Sequence, residues 1–262
     1  MKSTANGLKW SAIERLTTQI IQLIVIYFNK VKLMMYPKIK NKLKAAVHAF
    51  KNKQSAKGKT KIFCIGRNKT GTTSLKKAFE DLGHPVGNQR KAELLTAEHY
   101  FENEFQEILN YCTSAQVFQD IPFSYPETYK HLDKAYPNSK FILTIRDNEE
   151  QWYKSITRYH GKMFGKNGDI PTYSDLQKAT YIKDGYMANV TKVHGTPEND
   201  PYNKEIMISH YLNYNQEIIE YFKNRPDDLL IINIADKGAY SKFTEFLGIK
   251  SNQKDFPWEN KT

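Results

Sequence analysis

A nine-residue stretch, Gly66-Arg67-Asn68-Lys69-Thr70-Gly71-Thr72-Thr73-Ser74, joins a short apolar run to a helical one. In such a turn, successive backbone N–H groups and the free N–H groups of a helix start form a concavity for phosphate-like anions. Lys69 adds a mobile positive charge, and Thr70, Thr72, Thr73 and Ser74 add hydroxyl donors. Gly71 permits close backbone approach or a positive φ. An ordinary glycine-containing turn needs none of this convergence, so an anion site is expected. The order of residues narrows its type. A nucleotide-triphosphatase loop reads G-x-x-x-x-G-K-[ST], with Lys directly after the second Gly. Here Lys69 comes two residues before Gly71 and Thr72 follows it, which disfavours a P-loop kinase and keeps it as the alternative reading. Two cysteines, Cys64 and Cys112, and scattered histidines offer no ligand spacing, so no metal is expected.

The elements that must position this loop are legible as alternating apolar runs and helical stretches. Residues 61–65 read as a buried strand and 72–82 as a helix with Leu75, Ala78, Phe79 and Leu82 on one face, closed by Gly83. Residues 91–110 read as two helical pieces, 115–119 as a strand ending at Asp120, and 126–135 as a helix with Pro126 in its first turn. Residues 140–146 form the clearest strand, followed by a helix capped at Asp147 or Asn148. Residues 203–222 read as a long helix, 229–234 as a last strand and 240–247 as a closing helix. Residues 161–200, rich in Gly, Asn, Asp and Pro, read as an irregular insertion with one helix. Strands alternating with long helices predict an α/β fold, a three-layer α/β/α with a mostly parallel central sheet. Ligands in such sheets bind at the carboxyl ends of the strands.

Charge divides the chain differently. Of 39 Lys and Arg and 28 Asp and Glu, residues 1–60 hold thirteen basic residues and one acid, Glu14, which leaves 26 basic and 27 acidic residues for 61–262. The net charge of +11 therefore describes an N-terminal appendage, 1–60, and not the body, 61–262. Apolar residues recur near helical spacing over 8–36. Their least polar stretch, 20–28, falls well short of the roughly 20 residues that span a bilayer. A lysine-rich stretch, 37–60, follows. Two readings stay open: a tail lying on an anionic membrane at its cytoplasmic face, or a solvated basic linker beside a packed helix. Nucleic acid is not expected, because the lysine run lacks interleaved aromatics. Two cysteines without a partner at ligand spacing fit a reducing compartment, hence the cytoplasm.

The segment Lys69-Thr-Gly-Thr-Thr-Ser-Leu75 resembles the 5′-phosphosulfate loop of sulfotransferases that use 3′-phosphoadenosine 5′-phosphosulfate (PAPS). A second signature, Phe141-Ile-Leu-Thr-Ile-Arg-Asp147 followed by Trp152-Tyr-Lys-Ser155, is similar in kind to that family's 3′-phosphate site, and the likeness covers about 61–250. The resemblance implies in-line transfer of a sulfuryl group to a hydroxyl or amine of a small-molecule or glycan acceptor, releasing adenosine 3′,5′-bisphosphate (PAP), without a metal. It implies Lys69 as the group stabilising transferred charge, with residues 67–74 around the phosphosulfate. Arg67 is placed to reach the phosphosulfate or an anionic acceptor. The resemblance puts Arg146 and Ser155 on the 3′-phosphate, with one residue more between them than many members have. Trp152 is either an adenine platform or core. Asp120 is the expected base, with His84 behind it, or else the cap of the turn at Pro122. Lys237 and Gly238 fall where the family closes a second phosphate loop, here poor in Arg and Gly. That thin loop keeps a non-catalytic nucleotide-binding relative among the alternatives. Segments 84–110 and 161–200 are expected to frame the acceptor pocket. Separately, residues 7–19 resemble the opening of bacterial polysaccharide flippases, which points to a surface glycan and to Met34 or Met35 as an alternative start.

Overall fold

The computed structural model describes residues 39–47 and 49–258, together with 19, 22 and 23. The flippase-like opening and most of the apolar segment 8–36 lie outside the described residues. The chain divides into two compact units, Met1–Lys51 and Asn52–Thr262. In the first, residues 39–47 and 49–51 are helical and exposed. Among the described residues no helix is long and apolar enough to cross a membrane.

The second unit is built on four short strands, β1 (Ile62–Cys64), β2 (Val117–Gln119), β3 (Lys140–Thr144) and β4 (Leu229–Ile232). They are all parallel, in the order β2-β1-β3-β4. Side chains alternate between the two sheet faces. Phe63, Phe118 and Phe141 share one face at matched register, with ring centroids 5.9 Å and 5.6 Å apart across the β1 pairs. They pack against α3 (Phe105–Tyr111), α4 (Thr128–Ala135) and α8 (Lys204–Phe222) through Ile108, Leu132, Ile218 and Phe222. Ile62, Cys64, Val117, Ile142 and Ile232 face the other way, onto α1 (Thr72–Asp81) and α9 (Ala239–Leu247). There Phe79 meets Phe243 edge to face at 5.0 Å. Apolar residues on both faces of every strand require helices on both faces, and the result is a three-layer α/β/α architecture.

The chain leaves β1 toward β2 on one side and returns to β3 on the other. The strand order reverses between β1 and β3, which opens a crevice at their carboxyl ends. A third apolar cluster faces it. It joins Trp152 and Ile156 of α5 (Glu149–Phe164), Met207 and Tyr211 of α8, and Leu176, Ile182, Tyr186, Met187 and Val190. The last group comes from α6 (Tyr173–Lys178), the loop that carries Ile182, a 3-10 turn at Tyr186–Asn189 and α7 (Val190–His194). A capping box starts α6, in which the Thr172 hydroxyl and the Asp175 carboxylate satisfy each other's backbone. At Pro126 the structure departs from the sequence expectation. Its carbonyl accepts Thr128 N at 2.7 Å and Tyr100 Oη at 3.1 Å, and Glu127 takes a φ of 62°, so α4 starts two residues later.

Gly66 is where β1 and β3 press together. A Cβ there would stand 2.1 Å from Thr144 Oγ1 and 2.5 Å from the Thr144 backbone N and O. Because backbone atoms cannot yield cheaply, Gly66→Ala should cost at least about 2 kcal/mol. For a domain of this size that is a fall in Tm of roughly 4–8 °C, measurable by circular dichroism. An unchanged Tm would contradict this packing.

Candidate functional site

The loop after β1 is held by its carbonyl oxygens. Tyr214 Oη donates to the Ile65 carbonyl at 2.7 Å, and Trp152 Nε1 donates to the Asn68 carbonyl at 3.0 Å. Arg146 Nε donates to the Lys69 carbonyl at 2.6 Å. Thr70 Oγ1 donates to the Arg67 carbonyl at 2.6 Å, so Thr144, also 2.6 Å away, must donate its own hydroxyl proton to Thr70. The loop's acceptors are consumed by the protein. What it offers a ligand is donors and cations. Gly71, at φ 101°, begins α1 without a side-chain cap, and a Cβ there would sit 2.2 Å from Ile234 Cδ1. Only glycine fits this position, and it leaves the start of α1 open to an anion.

A cavity of about 190 Å³ lies against this loop, with Arg67, Lys69, Gly71, Thr72, Thr73, Ser74 and Arg146 in its wall. Among the described residues none of Arg67, Lys69 and Arg146 forms an ion pair with a carboxylate. Lys69 Nζ lies 4.0 Å from the Tyr159 ring centroid. Burial lowers its pKa first, and the Arg146 charge lowers it further, against a smaller opposing pull from Asp120. Burial likewise lowers Arg146. Arg67 is 2% exposed; its guanidinium donates to the Ser124 carbonyl at 2.6 Å and to His194 Nε2 at 2.9 Å. It lies 5.6 Å and 5.3 Å from the Tyr125 and Tyr214 rings, and its Nε has no partner. Since Arg67 only donates, His194 accepts at Nε2 and is neutral, with its proton on Nδ1.

Asp120 follows β2 at φ 64° and enters the same wall. Its Oδ1 accepts from Asn68 Nδ2 and from Ile121 N, and its Oδ2 from Thr72 Oγ1 at 3.4 Å. Burial pushes its pKa up to about 6, against the Ile121 N–H bond that favours the charged form. A carboxylate held this way can take a proton at neutral pH. Glu93 of α2 (Gln89–His99), itself buried, is a second carboxylate in the wall, accepting from Tyr181 Oη at 2.8 Å and from Arg90 at 3.4 Å. Tyr125, Tyr159, Phe164, Tyr181 and Tyr186 complete an aromatic lining.

Of the residues the sequence singles out, the structure thus brings Arg67, Asn68, Lys69, Gly71, Thr72, Thr73, Ser74, Asp120 and Arg146 to one cavity. Thr70 is turned inward onto Thr144 and does not line it. Trp152 is fully buried and stacked on Tyr211, with centroids 4.6 Å apart and an 11° interplanar angle. That corrects its reading as an adenine platform: it braces the loop from behind. The Ser155 hydroxyl is buried without a partner and stands off the cavity wall. Lys237 is exposed and Gly238 starts α9 at φ 79°, both away from the cavity. His84 pairs with Gln116 at 3.1 Å and also stands apart. Segments 84–110 and 161–200 do supply lining, through Glu93 and through Phe164, Tyr181, Tyr186 and His194. The sequence signal for Glu93 was weak, a lone acid at helical spacing from buried Thr96. Among the described residues no cluster of three His, Cys, Asp or Glu could hold a metal ion.

Residues 61–262 match the family model described as Sulfotransferase domain. No curated protein matches the chain.

Two buried histidines, His160 and His194, and the half-buried His210 make the fold sensitive to acid. Burial holds His160 and His210 at about 3, and burial with the Arg67 charge holds His194 well below 6.5. The unfolded chain binds these protons near pH 6.5 and the folded chain does not, so stability is lost as pH falls below 6.5. At pH 5 the loss is about 2 kcal/mol each for His160 and His210. Asp120 acts oppositely, because its raised pKa lets the folded form gain a proton first, worth about 1 kcal/mol at that pH. Tm should therefore fall between pH 7 and pH 5, and His194→Gln, which keeps an acceptor for Arg67, should flatten the dependence. A Tm that rises or stays level over that range would show that the histidines are not neutral in the fold.

Proposed function

The chain belongs to the sulfotransferase-domain family, and on that premise we propose that it transfers a sulfuryl group from PAPS to a hydroxyl or amine of a small acceptor, releasing PAP. The observation that carries this reading is a convergence. Three cations without carboxylate partners and an uncapped helix start share one cavity with a half-buried carboxylate whose pKa is raised to about 6. The donor set fits a dianionic group: Lys69, Arg146 and the uncapped start of α1 share one cavity wall.

PAPS supplies the activated sulfuryl group and a phosphate that leaves with negative charge. Lys69 and the donors of residues 71–74 hold those oxygens and stabilise the charge that develops on them. Arg146 is anchored through Nε on the Lys69 carbonyl, which leaves its terminal nitrogens for a phosphate that they match bidentately. Ser155 stands off the cavity wall, so Arg146 carries the 3′-phosphate in this reading. Asp120, aimed by Asn68 and Ile121 N–H, takes the proton of the acceptor group. The aromatic lining and Glu93 suit an acceptor with a flat or apolar body and a second donor group, a phenol or a sugar ring alike. Both free thiols, Cys64 and Cys112, are buried and fit a cytoplasmic setting.

Titration with PAP, and with ATP plus magnesium, tests the donor site. PAP should bind in clear preference, and Arg146→Ala should weaken it roughly 10–100-fold, the worth of hydrogen bonds to a charged group. Equal affinity for the two nucleotides, or an indifferent Arg146→Ala, would reject the reading. Transfer from labelled PAPS to a panel of phenols, alcohols and amines tests Asp120. Asp120→Asn should lower kcat by about 10²-fold or more while PAP affinity stays within a few fold. In the parent protein, kcat/KM should fall below about pH 6, where Asp120 takes up its proton. Transfer by Asp120→Asn at the parent rate would remove it from the mechanism.

A further inference from the structure

Residues 39–47 and 49–51 of the first unit are helical, and large apolar side chains stand exposed along them: Ile39 at 57%, Leu43 at 65%, Val47 at 47% and Phe50 at 63%. Their spacing, i, i+4, i+8 and i+11, places all four on one stripe of a helix with 3.6 residues per turn. At about 100° per residue, Lys40, Lys44 and Lys51 fall along one border of that stripe and Lys42 along the other. No acidic residue occurs between 39 and 51. Long aliphatic stems beside an apolar stripe let ammonium groups reach the level of lipid headgroups while the stripe sits in the acyl boundary.

From this we infer that residues 39–51 bind the surface of an anionic bilayer, apolar stripe inward. Charge complementarity selects that occupant. A second copy of the helix, or the upstream segment with its single acid Glu14, would bring lysines against lysines with no carboxylate to answer them. Nucleic acid would meet the lysines and leave the apolar stripe unused. An anionic lipid surface answers the stripe and both lysine borders together.

The test is co-sedimentation of the full chain with vesicles of phosphatidylcholine alone or with about 30% phosphatidylserine. Binding to the anionic vesicles should be at least about tenfold tighter, and should weaken in about 0.5 M salt. The double variant Leu43→Ser with Phe50→Ser should lose at least about tenfold in that binding with an unchanged Tm. Absence of binding by the parent chain, or equal binding by the double variant, overturns the inference. So does a fall in Tm for the double variant without vesicle binding by the parent, since the stripe would then pack against protein. None of these readouts uses PAP or sulfate transfer, so their failure leaves the proposed function standing, and the reverse also holds.

Discussion

The cavity depends on the seam where the ends of β1 and β3 meet. Gly66 has no room for a side chain against Thr144, and the Thr70 and Thr144 hydroxyls close the loop over that contact. Arg146, two residues past β3, reaches back to the Lys69 carbonyl, and Trp152 of α5 takes the Asn68 carbonyl. Two consecutive carbonyls are thus pulled away by groups that arrive from the β3 side. A peptide whose oxygen is fixed has its N–H fixed as well. The position of the cavity and the orientation of the loop beside it follow from that one seam.

Arg67 ties the seam to the rest of the cavity wall. A fully buried cation normally carries a carboxylate partner. Here the guanidinium instead uses the Ser124 carbonyl, a neutral His194 and two tyrosine rings. Those contacts bind the first loop to the turn after β2 and to α7, which bring Tyr125 and His194 to the cavity wall. The arrangement tolerates the charge without neutralising it. Arg67 therefore acts as a brace that also keeps the cavity positive, and a carboxylate in place of Ser124 or His194 would cancel that second effect.

The three-layer fold was legible in the sequence because buried strands and amphipathic helices carry their periods locally. So was the core of the site. Gly66, Lys69, Gly71 and Arg146 are fixed by short-range demands: a close approach, a left-handed φ, a strand end. The direction in which a side chain turns is not such a demand. Thr70 and Thr72 are alike in sequence, yet one pairs with Thr144 inside and the other lines the cavity. Trp152 had two readings, and only the position of Tyr211, 59 residues away in sequence, decides for the core. Glu93, His160 and His194 enter the wall through long-range packing of α2, α5 and α7, which no local pattern announces. In residues 37–60 the frequency of lysine concealed the period of the apolar residues between them.

The placement of Asp120 ties its proton affinity to occupancy of the anion site. Burial alone would raise its pKa, and the Ile121 N–H, the Thr72 hydroxyl and the Lys69 charge each pull it back down. Two of these three opposing groups, Thr72 and Lys69, also belong to the anion-binding wall. An anion seated there would engage them and offset the Lys69 charge as felt at Asp120, which would make the carboxylate more basic. Asn68 and Ile121 N–H are not part of that exchange and keep the carboxylate oriented throughout. On the proposed reading, basicity would then rise with the sulfuryl donor in place, while orientation would not change. This coupling needs no moving part. It follows from one loop that places a cation in the cavity wall and also hydrogen-bonds the Asp120 carboxylate.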